Sequence, residues 1–276
     1  MPASIDWTVM PKRADLIALR IKAGRKAVLA QTGRLIRGLG KAKSHWKSDG
    51  TRVTAVDLAI SHAIFRDLRK TFPEDEFFSE ELYQPTGPVD LKQRFAWILD
   101  PVDGTNNYAL GMPNCAISLA LMENGTPIYG FIYDLARRVL LQGGPSYGAW
   151  DGKRRVRVRR QKPDDHCTVA YHSPYQKHLA PTVLPIFSHF KTRGLGSSAL
   201  HLAYVAAGMM DAVLDQNVKV WDIAGAYPIC RAAGGEVHFM NGELFPLKTF
   251  DLNMGRIHYF AGNKAICAKL KRLLKA

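Results

Sequence analysis

The sequence predicts a mixed α/β or α+β protein of stacked sheets and helices. Helical apolar stripes open and close the chain. Apolar runs punctuated by Asn-Gly and Asp-Gly turns fill its middle, and strands and helices alternate through its second half. That mixture is the pattern of layered folds. At 276 residues the chain can bury a substantial core. Its 47% apolar and 22% charged residues are ordinary for a globular protein.

Residues 11–39 read as a long helix, with Leu16, Leu19, Ala23, Ala27 and Ala30 at helical spacing. Residues 41–52 are polar, basic and turn-rich, so they read as a loop. Its tip, Lys47-Ser48-Asp49-Gly50, either reaches an anion or stays solvated. Thr54 opens a second helix running to about residue 70, with Ile60, Ile64 and Leu68 on its apolar stripe. Thr54 and Asp57 have capping-box spacing, so the helix alone can account for Asp57. Phe77-Phe78-Ser79 is a short strand leading into Glu80 and Glu81. Residues 95–99 form a longer apolar run, suited to a buried strand, which breaks at Pro101.

Strands follow at 115–122, 127–133 and 138–142, the first two joined at Asn124-Gly125. In Arg154-Arg155-Val156-Arg157-Val158-Arg159-Arg160, valines alternate with arginines as on a half-exposed edge strand. The same arginines could contact nucleic acid, although no aromatic residue interleaves to stack on bases. Further strands are expected at 168–171, 211–215, 236–240 and 259–261, and helices at 197–209, 221–233 and 264–274. Pro228, inside the helix at 221–233, would remove a hydrogen bond and kink the axis. No repeat or linker divides the chain, so 1–276 reads as one unit, with approximate halves 1–155 and 156–276.

A formal charge of +14 favours anionic partners: nucleic acid, acidic lipid or phosphorylated small molecules. A merely solvated basic surface fits it equally well. No apolar run approaches the ~20 residues of a membrane span, and the first residues lack a secretory signal's pattern. Cys115, Cys167, Cys230 and Cys267 are scattered without CxxC spacing, which fits reduced thiols in a cytoplasmic protein and neither a disulfide framework nor a zinc motif.

Chemistry concentrates in the acids. Asp100 and Asp103 end a buried strand, which is costly unless something pairs with them. Mg²⁺ is one such partner; a capping turn is the plainer explanation. Glu80 repeats the arrangement or is a solvated loop acid. Asp222 starts a helix, where the dipole favours it. Asp57, Glu80, Asp100, Asp103 and Asp222 each lie at a strand end or helix start, positions that gather at one sheet edge in layered proteins. Once gathered, they demand cations. Two or more Mg²⁺ ions would create a phosphate-ester site, with Gly104, Thr105 and Asn106 offering donors to its oxygens.

The stretch from Asp100 to Tyr108 fits a DP(I/V)DGTxN(F/Y) signature. Trp221-Asp222-Ile223-Ala224-Gly225-Ala226, with Gly234-Gly235 downstream, fits WDxAAG…AGG. Ser79-Glu80-Glu81 fits (G/S)EE, and Lys47 through Asp57 fits KSDG…VTxxD. On these motifs the chain resembles the inositol monophosphatase family, within the metal-dependent, lithium-sensitive phosphatases that include fructose-1,6-bisphosphatases. The resemblance implies a five-layered αβαβα sandwich, a homodimer, and two or three Mg²⁺ ions bound by Glu80, Asp100, Asp103, Asp222 and the Val102 carbonyl. Asp57 and Thr105 would hold and help deprotonate the attacking water, with Glu80 assisting. Gly104 and Thr105 would donate to the phosphate.

For the substrate, Asn106 stands where relatives acting on 3′-phosphoadenosine 5′-phosphate, and many histidinol-phosphate phosphatases, carry a basic residue. Asp215 falls where the family places an acid on substrate hydroxyls, and Ser197 and Ser198 where it lines the sugar pocket. The mechanism needs none of His172, His178 and His201, which are expected to be surface or satisfied residues. The expected activity is a Mg²⁺-dependent phosphomonoesterase on inositol 1-phosphate or a related polyol phosphate. Pro228, matched in some histidinol-phosphate enzymes, keeps that substrate open, as does fructose 1,6-bisphosphate. A basic RNA- or anion-binding protein on a vestigial phosphatase fold is the alternative from another class.

Overall fold

Helix α1 (Arg13–Gly38) leads into a small hairpin, β1 (Ser44–Trp46) and β2 (Arg52–Thr54), and then helix α2 (Ala55–Thr71). This computed structural model describes residues 12–47, 52–82, 87–175 and 177–274. Strands β3 (Glu76–Ser79), β4 (Val89–Asp90) and β5 (Phe95–Asp103) follow, then the short helix α3 (Thr105–Ala109). A meander of β6 (Ala116–Glu123), β7 (Thr126–Asp134), β8 (Val139–Gly144), β9 (Gly148–Asp151) and β10 (Arg154–Arg155) completes the first half. The second half begins with β11 (Thr168–Tyr171), α4 (Ala180–His189), β12 (Lys191–Arg193), α5 (Ser198–Ala206) and β13 (Ala212–Val218). It continues through α6 (Val220–Ala224), α7 (Ala226–Ala232), β14 (Glu236–Phe239), β15 (Thr249–Phe250), β16 (Ile257–Gly262) and α8 (Lys264–Leu274).

These elements stack as αβαβα. The seven-stranded sheet has the order β10-β9-β8-β7-β6-β5-β3, and the five-stranded sheet β12-β11-β13-β16-β14. Side-chain alternation explains the layers. Phe95, Trp97 and Leu99 of β5 face α1 and α2, packing with Val28, Leu35, Ile60 and Ile64. Ala96 and Ile98, pointing the other way, join α5, α6, α7 and the inner face of the second sheet in the central core. The outer face of that sheet, Val169, Leu214 and Phe260, is covered by α4 and α8. A strand buried on both faces reads as a continuous apolar run, which is why β5 lacks alternation in sequence. At Gly24, α1 lies so close to the sheet that a Cβ would come within 2.9 Å of Trp97 and 2.8 Å of Phe131.

Four expectations change. The predicted loop at 41–52 contains the β1–β2 hairpin, with the Arg52 guanidinium 4.2 Å over the Trp46 ring; Ser48, Asp49 and Gly50 lie outside the described residues. Pro101 does not end its strand; β5 runs on through it to Asp103. The helix expected at 221–233 is two helices that part at Gly225. Pro228 therefore falls in the first turn of α7, where its missing N–H costs no helical bond. The arginine-rich edge strand has only Arg154 and Arg155 in the ladder, although Val156 and Val158 still turn inward. Helix α4 and strands β4, β12 and β15 were not legible, since they are short and α4 carries Pro185 in its interior.

Candidate metal centre

Residues 100 and 103 of a regular strand would point to opposite faces, because side chains alternate. Here the pairing of β5 with β6 slips: Asp100 opposes Ser118 and Asp103 opposes Ala116. Three steps on β5 thus match two on β6, a bulge that leaves both aspartates on one face. Pro101 suits the bulge, having no N–H to give to the ladder, and the Val102 N–H turns back to Asp100 Oδ1 at 3.0 Å. At Ser118, the partner of Asp100, the hydroxyl reaches Trp221 O at 3.4 Å. That contact lays the start of α6, and hence Asp222, over the same point. Carboxylate oxygens of Asp100, Asp103 and Asp222 lie within 4.8 Å of one another.

Each is fixed by neutral donors. Asp103 Oδ2 accepts the Ala199 N–H at 2.9 Å and the Ser197 hydroxyl, and Asp222 Oδ2 accepts the Lys219 N–H at 2.7 Å. Among the described residues, no lysine or arginine forms an ion pair with Asp100 or Asp103. Burial first, and then the charges of Glu80, Asp103 and Asp222, push the Asp100 carboxyl well above the usual range. Burial likewise raises Asp222, with Asp103 and Glu80 adding to it. Burial lifts Asp103 to about 6 against the pull of its Ser197 and Ala199 bonds. Two buried acids and a half-buried third that repel one another, with their carboxyls pushed up, form a group that can take a cation. An all-carboxylate donor set fits a hard divalent ion.

Glu80 stands beside this cluster. Strand β3 runs parallel to β5, so both end at the same sheet edge, and the Glu80 N–H approaches Leu99 O at 3.4 Å. Its carboxylate is engaged by Lys47, whose Nζ lies 2.6 Å from both Glu80 and Glu81. Burial opposes the lysine's charge, but the two glutamates outweigh it and raise its pKa. Burial and the charge of Glu80 move Glu81 up to about 7.

Asp57 occupies the third position of α2, its Oδ2 accepting the Thr54 N–H at 2.9 Å. The capping reading is therefore correct, and the other oxygen adds a second role: Oδ1 lies 3.3 Å from the Thr105 hydroxyl. Thr105 also donates to Val102 O at 2.8 Å, so its one proton serves two acceptors. Burial raises Asp57 to about 6, against its Thr54 bonds. Between the strand and α3, Gly104 adopts φ +88°, and a Cβ there would sit 2.9 Å from Asn114 O. Only glycine turns the chain so tightly. Its neighbours Thr105 and Asn106 open α3, and Asn106 is exposed.

The profile of the inositol monophosphatase family matches residues 13–275. The chain belongs to the inositol monophosphatase family. It is 34% identical over 243 residues to an inositol-1-monophosphatase of Mesorhizobium japonicum, covering 83% of this chain and 87% of that one. It is 30% identical over 270 residues to a Nus factor SuhB of Xylella fastidiosa, covering 94% of each. The extragenic suppressor protein suhB of Bartonella henselae superposes with a TM-score of 0.81 at 29% identity, over 93% of this chain and 98% of that one. The inositol monophosphatase family is metal-dependent, and the Asp100, Asp103 and Asp222 cluster can take a metal ion.

Other pocket residues expected of an inositol monophosphatase sit one layer deeper. Ser198 is buried, its hydroxyl 2.9 Å from His172 Nδ1. Asp215 is fully buried, with Oδ2 at 3.2 Å from His201 Nδ1 and 3.4 Å from the Tyr259 hydroxyl. Its Oδ1 and the Tyr175 hydroxyl have no hydrogen-bond partner among the described residues. The charge of Asp215 reaches both His172 and Tyr175. His201 is a satisfied histidine, its Nε2 accepting the Leu195 N–H at 3.0 Å. Sequence reasoning missed Asn107 as a staple: its amide spans Leu195 O at 2.7 Å and Asn114 O at 2.8 Å. It also missed the bond of Ser197 to Asp103, which joins residues 94 positions apart. No local pattern carries that information.

Proposed function

We propose that the chain is a Mg²⁺-dependent phosphomonoesterase that hydrolyses inositol 1-phosphate or a related polyol phosphate. The observation that carries this is the bulge that turns Asp100 and Asp103 to one face beneath Gly104 and Thr105, with Asp222 over them. Asp100, Asp103, Asp222 and the Val102 carbonyl would hold the metal, with Glu80 joining once Lys47 releases it. Bound there, Mg²⁺ neutralises phosphate charge and makes water a better nucleophile.

The chain's own groups do the rest. Gly104 and Thr105, at the start of α3, present backbone N–H groups to the phosphate. Asp57, with a pKa of about 6, is suited to accept a proton near neutral pH. The Thr105 hydroxyl donates its hydrogen bond to Asp57 or to Val102 O, which leaves an oxygen lone pair to accept from and orient the attacking water. The unpartnered Asp215 Oδ1, fully buried here, would accept from substrate hydroxyls once the layer over it parts, and Asn106 keeps the phosphate rim uncharged. On the same family resemblance we infer one cytoplasmic phosphatase unit over 1–276, inhibited by Li⁺ and assembled as a homodimer, which sedimentation velocity would check.

Comparing kcat/KM on inositol 1-phosphate, fructose 1,6-bisphosphate, histidinol phosphate and 3′-phosphoadenosine 5′-phosphate, with Mg²⁺ and with EDTA, tests the reading. A clear preference for inositol 1-phosphate, abolished by EDTA, is expected. Preference for histidinol phosphate would reassign the substrate, and turnover in EDTA would remove the metal mechanism. A second reading has its own support in the exposed Arg155, Arg157 and Arg160 and in a relative named as a Nus factor. It is RNA binding by the basic face. Tight, steeply salt-dependent RNA retention on filters, unchanged in Asp100→Asn, would support it.

A further inference from the structure

Outside the acidic centre, a different donor set meets where the C-terminal helix covers the edge of the second sheet. Glu236 and His238 lie two residues apart on the edge strand β14, and so share a face. Cys267, in the second turn of α8, is buried against that face. A carboxylate oxygen of Glu236, a ring nitrogen of His238 and the sulfur of Cys267 all lie within 4.8 Å of one another. The His238 ring stacks on Phe260, with centroids 5.1 Å apart and planes at 20°, which fixes its orientation. Its Nε2 points at Glu236 Oε2, 3.0 Å away.

We propose that Glu236, His238 and Cys267 form a second cation site, of zinc type, that clasps α8 to β14. The donors decide the ion. One thiol, one imidazole and one carboxylate suit Zn²⁺, whereas Mg²⁺ takes oxygen ligands. Donors around a tetrahedral zinc ion lie about 3.3–3.8 Å apart, so the present spacing closes by roughly an ångström of side-chain rotation. The exposed side of His238 leaves solvent to fill the fourth position. On binding, the Cys267 thiol loses its proton to solvent, and the imidazole proton moves from Nε2 to Nδ1. One carboxylate and one thiolate then balance the two positive charges. Spacing in the sequence hides the site, because Cys267 lies 29 residues beyond His238 and reaches it only through the fold.

Cobalt(II), added to metal-free protein in an Asp103→Asn background that disables the acidic centre, is the probe. Carboxylates give no thiolate-to-cobalt charge-transfer band, so such a near-ultraviolet band reports a cysteine ligand. The expected result is a band that saturates at one equivalent, is displaced by Zn²⁺ and is lost in Cys267→Ser. His238→Ala, at an exposed position, should weaken cobalt binding at least about 10-fold. No band, or a band of equal intensity in Cys267→Ser, would overturn the proposal. As an independent readout, Zn²⁺ should raise Tm in this background but not once His238→Ala is added; equal shifts would also overturn it.

Discussion

The two ends of strand β5 bury acids in opposite ways. Near its start, Asp75 is gripped by Arg20 at 2.6 and 2.9 Å and by the Trp97 indole N–H at 2.9 Å. Beside it, Glu123 is bracketed by Arg13 and Arg94, whose hydrogen bonds hold its carboxyl below the usual range. At the far end, Asp100 and Asp103 are as deeply buried, yet only neutral donors hold them and their affinity for protons is raised. The same strand pair thus carries acids with built-in counter-ions and acids without. The first arrangement is complete within the fold, while the second leaves a group of carboxylates that can take a metal ion.

Removing an acid at each end of β5 should therefore cost different things. Asp103→Asn should lower kcat/KM for phosphate release by roughly 100–1,000-fold, on the scale of removing a main charge-stabilising group. Its fold should survive, because an amide oxygen can still accept from Ser197 and Ala199; circular dichroism in EDTA checks this. Asp75→Asn should do the reverse, costing about 3 kcal/mol in urea unfolding by stranding Arg20, with KM unchanged.

The pH dependence of the metal-free protein gives a smaller, signed effect. Asp57 and Asp103 bind protons up to about pH 6, and Glu81 up to about 7, above their unfolded values of 3.8 and 4.5. Between those limits the native state holds more protons than the unfolded one, so its stability falls as pH rises. Thermal melts in EDTA should therefore give a higher Tm near pH 5 than near pH 8, and saturating Mg²⁺ should narrow the gap. Last, Ser197→Ala should cost roughly 10-fold in Mg²⁺ affinity, the low end for losing a bond to a metal-binding carboxylate, read by Mg²⁺ titration of activity.

Only the Asp100–Asp103 half of this contrast was legible in the sequence, and the limits have physical causes. The bounds of α8 and β11 were readable from apolar pattern alone, and the Thr54–Asp57 cap from its spacing. Asp100 and Asp103 stood out because a charge closing an apolar run is rare without a reason, and Asp222 because it opens a helix within a recognisable motif. What could not be read was the bulge at Pro101, since register depends on the partner strand. Nor could the lysine on Glu80, or the Asp215–His201–Tyr259 network, since these join segments that only the tertiary fold brings together. Asp75 sits in the acidic run Glu74-Asp75-Glu76 and gives no sign in the chain of its buried partner Arg20, which only the fold brings to it.

Electron paramagnetic resonance of free Mn²⁺ reads cation binding at the end of β5, since this ion stands in for Mg²⁺ and its signal falls on binding. The wild-type chain and Asp75→Asn should deplete free Mn²⁺ alike, whereas Asp100→Asn and Asp103→Asn should leave most of it in solution. Equal depletion by Asp103→Asn, or none by the wild type, would contradict a cation site at the end of β5.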